Sequence, residues 1–221
     1  TVALQEDVDG LLISSYQGGH NEYFKFLVDE LKKNGAGEKL VFGGGGGVIL
    51  PSEIKMLEDY GVEKLYHAVD GQKIGIDGIA DDIIKRIEEH KEKLKENEFV
   101  PTEEIISGND PQSHFDLAKQ ITFVENNYDN EEKMAAVKDL YNKYNKDRSI
   151  VIGVTGTGGS GKSSLIDEII GRFTSFTDNT NIAVLAIDPS KTKTGGALLG
   201  DRIRYNQIYD PRVYMRSFAT R

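Results

Sequence analysis

The stretch Gly156-Thr157-Gly158-Gly159-Ser160-Gly161-Lys162-Ser163 constrains the fold more than any other part of the chain. It follows an apolar run, SIVIGVT from Ser149, and precedes an amphipathic pattern from Lys162 to about Phe173. That order of strand, glycine loop and helix is the context a phosphate-binding loop requires. Glycines let successive backbone N–H groups converge on phosphate oxygens, and a helix N-terminus adds positive potential where the anion would lie. Lys162 brings a point charge to the outer phosphates, and the Ser163 hydroxyl offers an oxygen ligand to Mg2+. The alternative, an ordinary glycine-rich turn, leaves the Gly-Lys-Ser register unexplained.

Mg2+ is a hard cation that wants oxygen, so carboxylates at the ends of neighbouring strands are the next candidates. Asp188 ends the run AVLAID; it is either a metal-site residue or a cap before Pro189. Asp201 lies in the glycine-rich segment Gly195 to Arg204, which suits a switch that orders around phosphate and metal. A simple surface pair between Asp201 and Arg204 is the competing reading.

The first hundred residues alternate strand and helix patterns. GLLIS from Gly10, KLVFG from Lys39 and KLYHA from Lys64 are short apolar runs of the kind buried on both faces of a parallel sheet. Between them Tyr23, Phe24, Leu27 and Leu31 recur at helical spacing, and Pro51 opens a second helix that Gly61 ends. A third helix is expected from about Ile79 to Lys95. Right-handed crossovers then give a doubly wound sheet with ligands beyond the strands' carboxyl ends, where the loops 14–20, 43–50 and 67–76 fall. From Asn97 the strands stop, and Met134, Val137, Leu140 and Tyr141 share one helical face. A second series follows, with strands expected at 149–155, Ile182 to Ile187 and Val213 to Arg216. The expected division is 1–96, a helical linker at 97–147, and a P-loop domain at 148–221.

A net charge of -9, with 27 basic residues scattered among acidic ones, leaves no stripe to follow a phosphodiester backbone, so nucleic acid is not an expected partner. The absence of cysteine removes disulfides, thiolate metal sites and thiol nucleophiles. No apolar run is long enough to span a bilayer and no leader pattern opens the chain, so membrane association is not expected and a cytoplasmic location is. Starting at Thr1 and stopping at Arg221 straight after a strand pattern, the sequence reads as a piece of a longer protein.

Four blocks in order, GVTGTGGSGKSSL, AIDPS, TGGALLGDRIR and VYMRSFATR, resemble the G-protein chaperones of cobalamin-dependent acyl-CoA mutases, within the SIMIBI-type GTPases. The resemblance covers roughly Asp147 to Arg221. It implies Gly156, Gly158, Gly159, Ser160, Gly161, Lys162, Ser163 and Ser164 on GTP or GDP phosphates and Arg204 near the nucleotide. It also implies Ser163, the backbone of Ile187, Asp188 and Asp201 around Mg2+, with Lys162 and Asp201 as catalytic residues. SSYQGGH at Ser14 and VFGGGGGVI at Val41 resemble the cobalamin-binding domain of the same mutases, with Tyr16 where Leu is commoner, as in the fused isobutyryl-CoA mutase branch. That likeness implies Ser14, Ser15, Tyr16, Gly45, Gly46 and Gly47 around the nucleotide tail of adenosylcobalamin. Without it these glycines would read as a turn, and His20 and His67 as helix-start residues.

The fold class expected is therefore α/β: a flavodoxin-like (Rossmann-like) cobalamin-binding domain lacking its N-terminal part, the helical linker, and the first part of a P-loop GTPase domain. The function implied is that of an adenosylcobalamin-dependent isomerase fused to a GTP-hydrolysing chaperone for cofactor loading and protection. The acyl-CoA substrate would be bound by other parts of a parent expected to be a homodimer, and the isolated piece is expected to be inactive. The family's Asp-x-His-x-x-Gly and Asn-Lys-x-Asp elements are not found, so neither a cobalt ligand nor base choice can be assigned by residue. A P-loop ATPase or kinase with a flavodoxin-like regulatory domain, a methylmalonyl-CoA mutase-type member, and a noncatalytic binding module are the competing readings.

Overall fold

A computed structural model describes residues 1–15, 18–45, 49–94, 101, 111–144, 149–189 and 199–220. Contacts group them into two units, Val8–Phe99 and a second that joins Thr1–Asp7 to Val100–Arg221.

In the first unit three parallel strands, β1 (Gly10–Ser15), β2 (Leu40–Gly45) and β3 (Lys64–Tyr66), lie in the order β1-β2-β3. β2 is central, and its Val41 and Phe42 are buried accordingly. Helix α2 (His20–Lys33) connects β1 to β2, and α3 (Pro51–Tyr60) connects β2 to β3. Phe24, Val28 and Leu31 of α2 are buried with Leu57 of α3 and Leu65 of β3. Gly43 makes this packing possible, because a Cβ there would lie 2.3 Å from the Phe24 ring and 2.8 Å from Leu65. On the opposite face Phe42 lies near Ile87 of α4 (Ala68–Leu94), both within reach of a Cβ built on Gly10.

Helix α4 begins well before the expected Ile79. The segment 67–76, expected as a loop, is mostly helical because the backbone N–H of His67 bonds to the Asp70 carboxylate at 2.8 Å and that of Val69 to His67 Nδ1 at 3.2 Å. Both bonds satisfy donors of the first turn, which helices otherwise leave unpaired. The glycines that suggested a loop are accommodated by a kink at Gly75, whose φ of 73° belongs to the left-handed region. Farther along, Asp82 accepts bonds from Tyr66 Oη at 2.7 Å and Arg86 Nε at 2.9 Å, and Arg86 reaches Glu63 at 2.9 Å. These bonds tie α4 to β3.

The second unit contains α1 (Val2–Gln5), α5 (Pro111–Asn127), α6 (Glu131–Tyr144), α7 (Lys162–Phe176), β4 (Ile182–Pro189), the 3-10 helix Leu199–Arg204 and β5 (Val213–Thr220). β4 and β5 pair in parallel, from Ile182 opposite Val213 to Pro189 opposite Thr220. Ile170 of α7 packs with Tyr205, Ile208, Val213 and Met215, and Ile182, Val184 and Ala186 of β4 close this core. Helix α1, which the sequence reading did not anticipate, sits on the other face of β5. Tyr214 Oη donates to the Gln5 carbonyl at 3.1 Å, Gln5 Nε2 donates to the Val213 carbonyl at 3.3 Å, and Arg202 donates to both Gln5 and Glu6. Arg216 bonds Thr122 and Glu125 of α5.

The strand expected at 149–155 is absent. Ile150 and Val151 are 89% and 90% exposed, and neither β4 nor β5 pairs with that segment. An apolar run becomes a strand only when a neighbour completes its ladder and covers its side chains, and among the described residues none does so here.

Candidate functional site

The glycine loop has its own geometry even without a strand before it. Gly159 and Gly161 adopt φ of 78° and 87°, left-handed values that favour glycine, and Gly161 is the N-cap of α7. The Ser160 amide bonds back to the Thr157 carbonyl at 3.3 Å, and the Leu165 amide makes a first helical bond to the Gly161 carbonyl at 2.9 Å. No side chain caps the start of α7 among the described residues, so first-turn amides of this helix end face outward with their partial positive charge. Lys162 Nζ folds over the loop and donates to the carbonyls of Gly156 at 2.7 Å and Thr157 at 2.8 Å. A cation is thereby held against the same backbone that carries the amides. A Cβ built on Gly158, Gly159 or Gly161 meets nothing within 4 Å, so there is open space around those glycines.

Ser163 and Ser164 occupy the first turn of α7, Ser163 partly buried and Ser164 exposed. Ile187 lies in β4 opposite Phe218, with its side chain exposed, and Asp188 follows it opposite Ala219. Asp201 and Arg204 belong to the 3-10 helix. The side-chain positions of Asp188 and Asp201 lie outside the described residues. Among the described residues no cluster of three His, Cys, Asp or Glu side chains forms a metal cage. Sequence reasoning did not single out Asp167, whose carboxylate ties α7 to the chain just after the 3-10 helix; a lone acid in a helix carries no pattern to find it by.

In the first unit the register brings two expected groups together. Ser14 lies opposite Gly44 and Ser15 opposite Gly45, at the carboxyl end of the parallel sheet. A Cβ on Gly45 would be 2.4 Å from the Ser15 carbonyl oxygen, so this position is closed to any other residue without a backbone shift. Tyr16, Gly46 and Gly47 lie outside the described residues. His20 is the buried first residue of α2, with Nε2 3.1 Å from the Glu53 carboxylate. Glu53 also accepts the Leu50 amide at 2.8 Å and the Asn21 side-chain amide at 2.9 Å, bonds that hold its carboxyl below the usual carboxylate range.

Residues 117–221 match the family described as Methylmalonyl Co-A mutase-associated GTPase MeaB. The whole chain is 47% identical to a fused isobutyryl-CoA mutase of Cupriavidus metallidurans, over 100% of this chain and 19% of that protein. It is 45% identical to one from Geobacillus kaustophilus and 42% identical to one from Nocardia farcinica, each over 99% of this chain and 20% and 19% of those proteins. Along its whole length the chain is thus similar to one part of the fused isobutyryl-CoA mutases. It spans about a fifth of the length of these relatives. The fused mutase match runs through both units, whereas the GTPase match begins inside α5, so most of α5 and all of α6 lie within the matched segment. Both sheets are parallel and the second unit carries a P-loop GTPase-type domain. No described helix is long and apolar enough to cross a membrane.

Proposed function

We propose that residues 156–164 bind the phosphates of GTP or GDP together with Mg2+, and that the parent of this chain is an adenosylcobalamin-dependent acyl-CoA mutase carrying its own GTPase chaperone. The observation that carries the nucleotide reading is Lys162 Nζ resting on the Gly156 and Thr157 carbonyls beside the uncapped start of α7. Phosphate oxygens would take the outward amides of that turn, and Lys162 would neutralise the outer phosphate charge. The Ser163 hydroxyl, together with Asp188, Asp201 and the Ile187 carbonyl, would supply the oxygen ligands that Mg2+ requires. The ion would offset negative charge on the phosphate oxygens when bound. Arg204 would lie near the nucleotide, and Lys162 and Asp201 would serve hydrolysis. Guanine as the base rests on the GTPase family match.

In the first unit, the flavodoxin-like reading rests on the parallel order β1-β2-β3 with helical crossovers. The residues present fit a cobalamin tail: at Ser14, Ser15, Gly44 and Gly45 the sheet edge offers hydroxyls beside glycines, and a Cβ on Gly18 or Gly19 meets nothing within 4 Å. Ser14 or Ser15 would bond the tail, and the glycines Gly45, Gly46 and Gly47 would admit it close to the backbone. Adenosylcobalamin supplies the radical chemistry of carbon-skeleton rearrangement when bound. The acyl-CoA would be held by other parts of the parent.

Titration calorimetry of the chain with GTP and Mg2+ tests the nucleotide site. Lys162→Ala is expected to weaken binding by about a hundredfold, a loss of about 3 kcal/mol that fits removal of a charged phosphate contact. Unchanged affinity would remove the assignment, and preference for ATP would favour the kinase or ATPase alternative.

A further inference from the structure

Ser163, Asp167 and Gly171 are spaced by four residues along α7 and so form one stripe of the helix. The lower two positions grip a single turn of chain. Asp167 Oδ1 accepts the backbone amides of Asn206 at 2.8 Å and Gln207 at 2.9 Å, while Oδ2 accepts the Asn206 side-chain amide at 3.0 Å. Gly171 lies against the same turn, for a Cβ there would be 3.2 Å from Gln207 Cγ. The gripped residues follow directly on the 3-10 helix Leu199–Arg204, the segment that carries Asp201 and Arg204. One stripe thus bears the Ser163 hydroxyl at its top and the anchorage of that segment one turn below.

A divalent cation shared between separate stretches of chain tolerates little error in their spacing, because its oxygen ligands must all come to bonding distance together. A carboxylate that receives three bonds from the chain beside one of those stretches sets that spacing. We infer that Asp167 is a positioning residue that holds the segment 199–204 in register with Ser163, so that the metal-dependent part of nucleotide binding depends on it. The inference rests on the nucleotide reading proposed above. It assigns Asp167 no contact with phosphate or metal, and it separates two contributions: affinity from the loop amides and Lys162, which Asp167 leaves alone, and the gain on adding Mg2+, which it controls.

The test is calorimetric titration of the full chain with GTP in excess Mg2+ and again in EDTA, with thermal melting as a check on folding. Asp167→Ala is expected to reduce the gain in affinity on adding Mg2+ by about tenfold, the scale of losing bonds to a charged acceptor, and to leave affinity in EDTA within about twofold. Asp167→Asn keeps an oxygen for the two backbone amides but sets its own amide against that of Asn206, so a smaller loss is expected. Adding Asn206→Asp to it reverses the polarity of the side-chain bond and should restore the gain. If Asp167→Ala does not fold, the Asn variant and its double partner decide the matter. Equal loss with and without Mg2+, an undiminished gain, or no rescue by the double variant would overturn the inference. Binding by the unaltered chain with no gain from Mg2+ would overturn it while leaving the phosphate loop intact; no binding in either condition would remove the nucleotide reading as well.

Discussion

The two units treat their apolar runs differently. In the first, the runs at Gly10, Lys39 and Lys64 each become a strand, because each finds a parallel neighbour and helices cover the faces. In the second, the run from Ile150 to Val154 has no ladder among the described residues, while β4 and β5 pair with each other. An apolar pattern states a need for burial and for backbone partners; remote chain must meet that need. Turns and helix starts ask for less. Gly159 and Gly161 take up their left-handed turn, and Lys162 its bonds to the Gly156 and Thr157 carbonyls, within a few residues of chain.

The largest effect that could break this contrast is expected in the first unit. Phe24 is fully buried over Gly43, so Phe24→Ala should destabilise that unit by about 3–5 kcal/mol in urea unfolding. A loss below about 1 kcal/mol would show that α2 does not depend on that packing. In the second unit Ile170, 2% exposed, is part of the core formed with Tyr205, Ile208, Val213 and Met215, and Ile170→Ala should cost about 2–4 kcal/mol by the same measurement.

A pH effect comes next. Bonds from Tyr66 and Arg86 hold the Asp82 carboxyl below the usual carboxylate range. Its contribution is therefore present above that range and is lost as pH falls through the lowered value. Asp82→Asn should be less stable than the unaltered chain at neutral pH, and the difference should vanish in acid. A difference that stays constant with pH would show that the charge is not what matters. The smallest effect is expected at Val151. Exposed as it is, Val151→Ser should change stability by no more than about 0.5 kcal/mol, and amides of 150–154 should exchange hydrogen far faster than those of β2. Slow exchange there would mean that this run is paired after all.

Much of the architecture was legible because its determinants are local. Helix α2 was signalled by Phe24 and Leu31, both buried, although Tyr23, counted on the same face, is half exposed and Val28 takes its place in the core. The start of α4 was hidden by Gly71 and Gly75, since the Asp70 bond that begins the helix depends on a carboxylate reaching back three residues. The glycine loop was legible in full as a pattern, and the register of Ser15 with Gly45 placed two distant sequence blocks at one sheet edge. What the sequence did not disclose is non-local: the solitary state of 149–155, and the grip of Asp167 on Asn206, joined by no spacing rule. Helix α1 was missed for the same reason, since four residues show no periodicity and the partners of Gln5 are remote: His114 of α5, Arg202 of the 3-10 helix and Val213 of β5.

That last contact changes what a cut in the polypeptide would do. Removing Thr1–Asp7 would spare every strand and helix of the neighbouring unit, and by sequence position it looks like trimming a frayed end. Arg202 would then keep its bond to the Met215 carbonyl under β5 while losing the carboxylate of Glu6 and the side-chain oxygen of Gln5, so its guanidinium would stand without its ion pair. The penalty would be felt at the far terminus of the molecule, so an isolated GTPase-type domain needs these seven residues supplied to it or a substitution that renders Arg202 uncharged.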